Sequence, residues 1–352
     1  MQSAALPFLR LDSTPGLALV ALIAPVFLPM IPSNVLIVTP GSAVRSSGNR
    51  CTASQWAGIL RRMGSAVRIC YDVPECLPVA QSDLLIVMHA VKCAPVIPMY
   101  RRTFPRVPIL LALTGTDIYP DPGAEALASM READGLVALQ EKALEKIPPD
   151  LRHKVSVVIQ SASPPASRAK KPAAATFDVC VVGHLREVKD PMLTPRASRL
   201  VPAKSRLRVR HAGGILEARF GAEVANEQST NPRYEWLGEL SPSEVADLLA
   251  SSQVMAITSR SEGGARVVSE AVMADTPVIS TRVDGVVGLL GEDYPGFFPV
   301  GEEEALAALL WRCESDLGFF DKLVQAARAM QARFHPEAEA DALVRAVLKL
   351  AR

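Results

Sequence analysis

Glu262 and Glu270 stand eight residues apart in residues 259–280 (SRSEGGARVVSEAVMADTPVIS), with two glycines directly after the first of them. Residue types in that order suit a nucleotide. Gly263 and Gly264, followed by Ala265, let the amides that open a helix come close to a phosphate, where the positive end of the helix dipole favours an anion. Glu270, two turns in, can accept hydrogen bonds from both vicinal hydroxyls of a ribose, while Glu262 ends the preceding strand and faces the same crevice. Arg266 lies one turn into the helix and reaches either the ligand or the facing domain, unless it is an ordinary surface arginine.

A second cluster, GHLREVKDP at residues 183–191, follows an apolar strand. Arg186 and Lys189 project from this loop as cations able to hold a diphosphate. Breaking a bond to a diphosphate loads negative charge on the leaving oxygen, and fixed cations there lower the barrier directly. That chemistry needs no divalent ion, and the sequence has no D-x-D pair and no histidine–carboxylate cluster with ligand spacing, so no metal and no cofactor are expected. The plain alternative is a pair of solvated loop cations. His184 contacts a phosphate or is a strand-end histidine with a structural partner.

Loops in the first half of the chain would carry the acceptor. Residues 39–50 (TPGSAVRSSGNR) join a strand to a helix through small residues with Arg45, Asn49 and Arg50, which can recognise an anion or form a solvated loop. Their glycines do not make G-x-G-x-x-G, so a dinucleotide site is not supported. The third strand delivers His89 and Lys92, and the fourth delivers Thr114-Gly115-Thr116-Asp117. His89 has the pKa of a general base or serves as a hydrogen-bond donor to the sugar; otherwise it has a backbone partner. Asp117 and the two threonines can fix sugar hydroxyls, or the four residues are a helix-capping turn.

The elements that must position these residues alternate as strand and helix, the pattern of parallel sheets covered on both faces. Strands are expected at 35–38, 67–70, 84–88, 109–113, 135–139 and 155–159, then at 177–182, 207–210, 234–237, 254–258 and 277–280, with helices from about residue 305 to the end. Residues 161–176 (SASPPASRAKKPAAAT) lose hydrophobic periodicity and read as a linker. The expected fold class is α/β, with two Rossmann-like domains, 34–160 and 177–325, facing each other across a cleft, and C-terminal helices at 326–352. Ligands belong at the carboxyl ends of the strands.

Composition narrows the function classes. A chain of 352 residues has length for about two domains, and its net charge of +1 indicates neither nucleic acid nor an acidic membrane surface as partner. The six cysteines show no CxxC spacing and read as small core residues in a reducing cytoplasm. G-x-S-x-G and the P-loop lysine motif are absent, which removes common hydrolase and kinase readings. Residues 16–31 are apolar but short of the roughly 20 residues a spanning helix needs, and Pro25 and Pro29 interrupt them. Residues 1–33 are therefore expected to be an extension outside the working part, with no stable membrane association. Glu302-Glu303-Glu304 suits a helix start, and Glu337, Glu339 and Asp341 read as a solvated face.

The glutamate spacing resembles the E-x7-E signature of GT-B glycosyltransferases that use nucleotide-diphosphate sugars. The ordered series VLIVTPGS, GNR, LLIVMHAVKCAP, LLALTGTDIY, LVALQ, VVIQSAS, VVGHLREVKDP, SRSEGGARVVSEAV and VDGVVGLLGEDYPGFFPV resembles the selenosugar synthases of selenoneine biosynthesis over roughly residues 34–334. The resemblance implies a GT-B fold and transfer of N-acetylglucosamine, or a related hexose, from a UDP-sugar to selenophosphate. A conventional hydroxyl acceptor and a non-catalytic nucleotide-sugar-binding protein are the other readings. Lys92 and Asp275 stand where the resemblance implies arginine and glycine; lysine keeps the charge but loses the planar fork.

Overall fold

Apolar runs with few polar interruptions become strands buried on both faces, as parallel sheets require. A computed structural model describes residues 31–41, 48–71, 81–165 and 175–350. The apolar run at 16–30, Arg45, Cys76 and most of the expected linker lie outside them. The first sheet contains β1 (Asn34–Val38), β2 (Ala66–Cys70), β3 (Leu84–Met88), β4 (Ile109–Leu113), β5 (Gly135–Ala138) and β6 (Val155–Val157). They lie in the order 2-1-3-4-5-6, all parallel. Helices α1 (Gly48–Arg62), α2 (Val96–Thr103), α3 (Ala124–Glu132) and α4 (Ala143–Lys146) connect them.

The second sheet contains β7 (Phe177–Val182), β8 (Leu207–Ala212), β9 (Tyr234–Gly238), β10 (Val254–Ile257), β11 (Val278–Thr281) and β12 (Phe297–Phe298) in the order 12-11-10-7-8-9. Its connections include α5 (Leu193–Leu200), α6 (Arg219–Thr230), α7 (Pro242–Ser251), α8 (Arg266–Met273) and α9 (Asp284–Leu290). The two-residue β12 is not expected from the sequence, because so short an edge strand has no periodicity to read. Strand order reverses beside β1 in one sheet and beside β7 in the other. At each reversal neighbouring loops diverge and leave a crevice at the strands' carboxyl ends.

After β12 come α10 (Glu303–Ser315), α11 (Leu317–Ala329) and α12 (Pro336–Leu350). Helix α12 returns to the first sheet, where Leu343, Ala346 and Val347 share a core with Val35, Ile37, Trp56 and Leu60. Their spacing places them on one face, and Glu339 lies on it too. The solvated-face expectation therefore holds for the exposed Glu337 and Asp341 but fails for Glu339, which is 1% exposed. Glu339 accepts from Trp56 Nε1 at 2.9 Å, from Ser161 N at 2.8 Å and Oγ at 2.6 Å, and from Gln55 Nε2. This carboxylate ties the last helix and the interdomain crossover to α1.

One other sequence expectation changes, that of the cysteines. Cys93, Cys180 and Cys313 are buried, and burial pushes the Cys313 thiol up to about 12, but Cys70 is disulfide-bonded. Asp275 takes up the left-handed conformation (φ 58°) that the implied glycine would adopt freely. Gln331 Nε2 at 2.9 Å and Arg328 Nε at 3.2 Å from its Oδ1 hold it there. Among the described residues no helix is long and apolar enough to cross a membrane.

Removing the Glu339 carboxylate strands several buried donors, so Glu339→Ala should cost about 2–4 kcal/mol. Thermal unfolding should show the melting temperature falling by about 3–5 °C; an unchanged value would contradict this role.

Candidate active site

The second domain's crevice opens between β7 and β10. The loop after β7 is pinned to β10 by Thr258 Oγ1, which donates to both Lys189 O and Asp190 O at 2.9 Å, and by Arg260 N, which donates to Val188 O at 2.8 Å. Asp190 is left-handed (φ 42°) and held by Arg260 at 2.9 Å. Glycine shapes the other side: a β-carbon on Gly213 would lie 1.9 Å from Gly183 O. Below it, buried His211 faces Gly183 O through Nε2 and the Tyr234 hydroxyl through Nδ1, each at 3.1 Å. A carbonyl only accepts, so Nε2 carries the proton and the tyrosine donates to Nδ1. Burial pushes the His211 pKa down to about 4.

This framework brings Lys189 and Glu262 together. Lys189 Nζ is 2.5 Å from Glu262 Oε1, to which Ser259 Oγ also donates at 2.5 Å. Arg186 is exposed, and its guanidinium has no hydrogen bond or ion pair among the described residues. His184 Nδ1 accepts the Gly214 amide at 3.1 Å, a backbone partner. At the next loop, the amides of Gly263, Gly264 and Ala265 have no partner among the described residues. Helix α8 follows, with Arg266 Nε 2.9 Å from Glu270 Oε1 and each side chain 30% exposed.

The glycine pair has a second task that the sequence reading missed. A β-carbon on Gly263 would lie 2.2 Å from Thr114 O and 2.5 Å from Gly115 Cα; one on Gly264 would lie 2.5 Å from Leu139 Cβ. Here the two domains meet backbone to backbone. Gly285 packs equally closely on Glu262 O, at 2.0 Å for the added atom, and Gly288 on Gln140 Oε1, at 1.8 Å. Three-residue spacing of Gly285 and Gly288 in an apolar helix signals close packing, but nothing in the sequence says against what.

In the first domain, His89 and Asp117 turn inward. Asp117 Oδ1 accepts from Gly115 N at 2.6 Å and Thr114 N at 3.0 Å, while Oδ2 accepts from Ala90 N at 2.9 Å. Four consecutive residues therefore form a capped turn stitched to the preceding loop, with Gly115 at φ 142°. His89 is 3% exposed; its Nδ1 accepts the Val91 and Lys92 amides at 3.2 Å, and Nε2 lies 2.9 Å from Thr116 Oγ1. Those two amides require an unprotonated Nδ1, so Nε2–H donates to the threonine. Burial lowers the ring's pKa against the opposing pull of Asp117. Lys92 and Thr116 are exposed, Asn49 lies in the first turn of α1, and Arg50 lies over the Tyr71 ring at 5.3 Å. Among the described residues no group of His, Cys, Asp and Glu is placed to hold a metal.

Residues 165–330, which carry the crevice loops of the second sheet, match the family described as glycosyl transferases group 1. The chain carries a group 1 glycosyltransferase domain. The whole architecture is that of GT-B glycosyltransferases. Anabaena HepE in complex with UDP-glucose is similar with a TM-score of 0.70 and 16% identity over 89% of this chain and 98% of that one. A glycosyltransferase from Rickettsia africae ESF-5 gives 0.72 and 15% over 90% and 98%. Sucrose-phosphate synthase from Thermosynechococcus elongatus gives 0.70 and 16% over 88% and 96%. No curated protein matches this chain. In this glycosyltransferase the loops after β7 and β10 stand at one strand-order reversal, with loops of the first domain directly opposed.

Gly263→Ala should force the domains apart and destabilise the glycosyltransferase by about 1–3 kcal/mol, with a larger radius of gyration in solution scattering; unchanged dimensions and melting would refute the packing role. His211 gives a pH signature. Its ordinary pKa of 6.5 falls on folding to about 4, so the unfolded chain binds the extra proton between those values. Its contribution is full above about pH 6.5 and is lost as pH falls toward 4, up to roughly 3 kcal/mol. Denaturant unfolding at pH 7 and 5 should show a smaller loss in His211→Gln than in the native chain, and equal losses would reject this origin.

Proposed function

We propose that this glycosyltransferase moves a hexose, N-acetylglucosamine or a close relative, from a UDP-sugar to selenophosphate, yielding a 1-selenosugar for selenoneine assembly. One observation carries the donor half: the exposed guanidinium of Arg186 stands on the same rigid loop as the Lys189–Glu262 pair, which faces the glycine loop and its open amides. Lysine has three donors, so Lys189 can keep Glu262 and still bind a phosphate oxygen. Arg186 offers a planar fork to the same diphosphate. Glu270, steadied by Arg266, takes the ribose hydroxyls, and the Gly263–Ala265 amides complete the anion site. The likeness to HepE, whose structure holds UDP-glucose, supports UDP as the nucleotide.

Selenium attacks the anomeric carbon as the carbon–oxygen bond to the diphosphate breaks, and the electron pair leaves with UDP. Arg186 and Lys189 stabilise that charge as it develops. Water then cleaves the selenium–phosphorus bond and releases phosphate. Selenophosphate is already anionic and nucleophilic, so no residue need remove a proton from it. The inward engagement of both His89 nitrogens supports an acceptor of that kind over a hydroxyl, which requires a base. Lys92 and Arg50, with Arg45 beyond the described residues, supply positive charge on the acceptor side. The reaction is written without a metal or further cofactor.

The test is incubation with UDP-N-acetylglucosamine and selenophosphate, with UDP and a selenium-containing sugar detected by mass spectrometry. UDP release with a hydroxyl acceptor only would overturn the selenium reading, and binding without turnover would overturn catalysis. Arg186→Ala should lower kcat by about 10²–10³-fold without moving the melting temperature, because its guanidinium supports nothing in the fold.

A further inference from the structure

Gln140, immediately beyond β5 and Leu139, is a polar side chain with no exposed surface, and it belongs to the first domain while touching the second. Its amide orientation is fixed by its neighbours. Ala143 N–H, a donor only, lies 3.2 Å from Oε1, so Oε1 is the carbonyl and Nε2 must face the other way. There Nε2 donates to the Tyr119 hydroxyl at 2.6 Å and to Gly263 O at 3.3 Å. Gly288 closes over the carboxamide, since a β-carbon there would lie 1.8 Å from Oε1.

The bond to Gly263 O has a consequence on the far side of that peptide. In a trans peptide the carbonyl and the following N–H point in opposite directions. Holding Gly263 O toward the first domain therefore turns Gly264 N–H away from it, and that N–H has no acceptor among the described residues. A glycine pair has little conformational preference of its own, so an external restraint decides where the amide points.

We infer that Gln140 is a positioning residue: it fixes the Gly263–Gly264 peptide so that Gly264 N–H is ready for a phosphate oxygen of the donor, which makes donor binding depend on a residue of the acceptor domain. This rests on the nucleotide-diphosphate reading of the second domain. Gln140 touches no donor atom; it sets an amide that does.

The test measures UDP binding to the full chain by calorimetry in three variants. Gln140→Leu removes the donor and should weaken UDP about 5–30-fold, the equivalent of roughly 1–2 kcal/mol. Gln140→Glu presents a carboxylate to Gly263 O at pH 8 and should bind at least as weakly, but a protonated carboxyl can donate. Its affinity relative to the native chain should therefore recover between pH 8 and 5.5, while that of Gln140→Leu stays flat. Tyr119→Phe, which leaves Gln140 in place and removes one group that steadies it, should weaken UDP about two- to fivefold and covers the case in which a Gln140 variant does not fold. Native affinity in the variants, or a Gln140→Glu profile parallel to Gln140→Leu, would overturn the positioning role. Absence of UDP binding by the native chain is a separate result that removes the donor reading and this inference with it.

Discussion

The closeness of two stretches of bare backbone governs this molecule. Gly263 lies against Thr114 and Gly115 with no room for a single carbon between them, and Gly264 meets Leu139 in the same way. Interiors of native density do not yield to an added methyl group without displacement of whole elements. The separation of the two sheets at the cleft is thus set by atoms that are absent. Everything that approaches the cleft, from the Asp117-capped turn to the Lys189 loop, takes its place relative to that contact.

Charge in the site is arranged before any ligand arrives. Lys189 is paired with Glu262, and Arg266 with Glu270, so each carboxylate read as a ligand contact is held by a cation one loop or one helical turn away. The partly exposed Arg266–Glu270 pair contributes little stability; the value of both pairs is orientation. Arg186 is different, because its guanidinium makes no hydrogen bond or ion pair among the described residues and feels the charge of Glu217 without bonding to it, and the loop beneath it is tied to β10 by Thr258 and Arg260. A cation held on a rigid loop and not committed to a hydrogen-bonded ion pair stays available to negative charge that arrives in the cleft.

Buried ionisable groups around the first sheet are bonded into the scaffold. Asp117 spends its oxygens on backbone amides, His89 uses both nitrogens within its own loop and the next, and Glu339 gathers donors from α1 and the crossover. A buried ionisable group must find such partners, since leaving it unpaired is expensive in a low dielectric. Residue type alone does not separate that duty from chemistry. The turn reading of TGTD and the backbone-partner reading of His89 were both available from the sequence, and partner geometry favours them.

Hydrophobic runs such as LLIVM and ILLAL, bounded by turn residues, were enough to place the strands and the two α/β halves, because burial on both faces leaves no polar alternation. The spacing of Glu262, the glycines and Glu270 marked the second domain's loops for the same local reason: strand end, turn and helix start are encoded within a few residues. Contacts between segments far apart in the chain are not encoded that way. That α12 would bury Glu339 against Trp56, that Gln140 would reach Gly263, and that the glycine pair would seat another domain's backbone all depend on how two sheets pack. The sequence by itself determined the elements and the loops between them. Only the tertiary structure decided which of those residues stay open to the cleft and which are already bonded to one another, because that follows from distances across the cleft rather than along the chain.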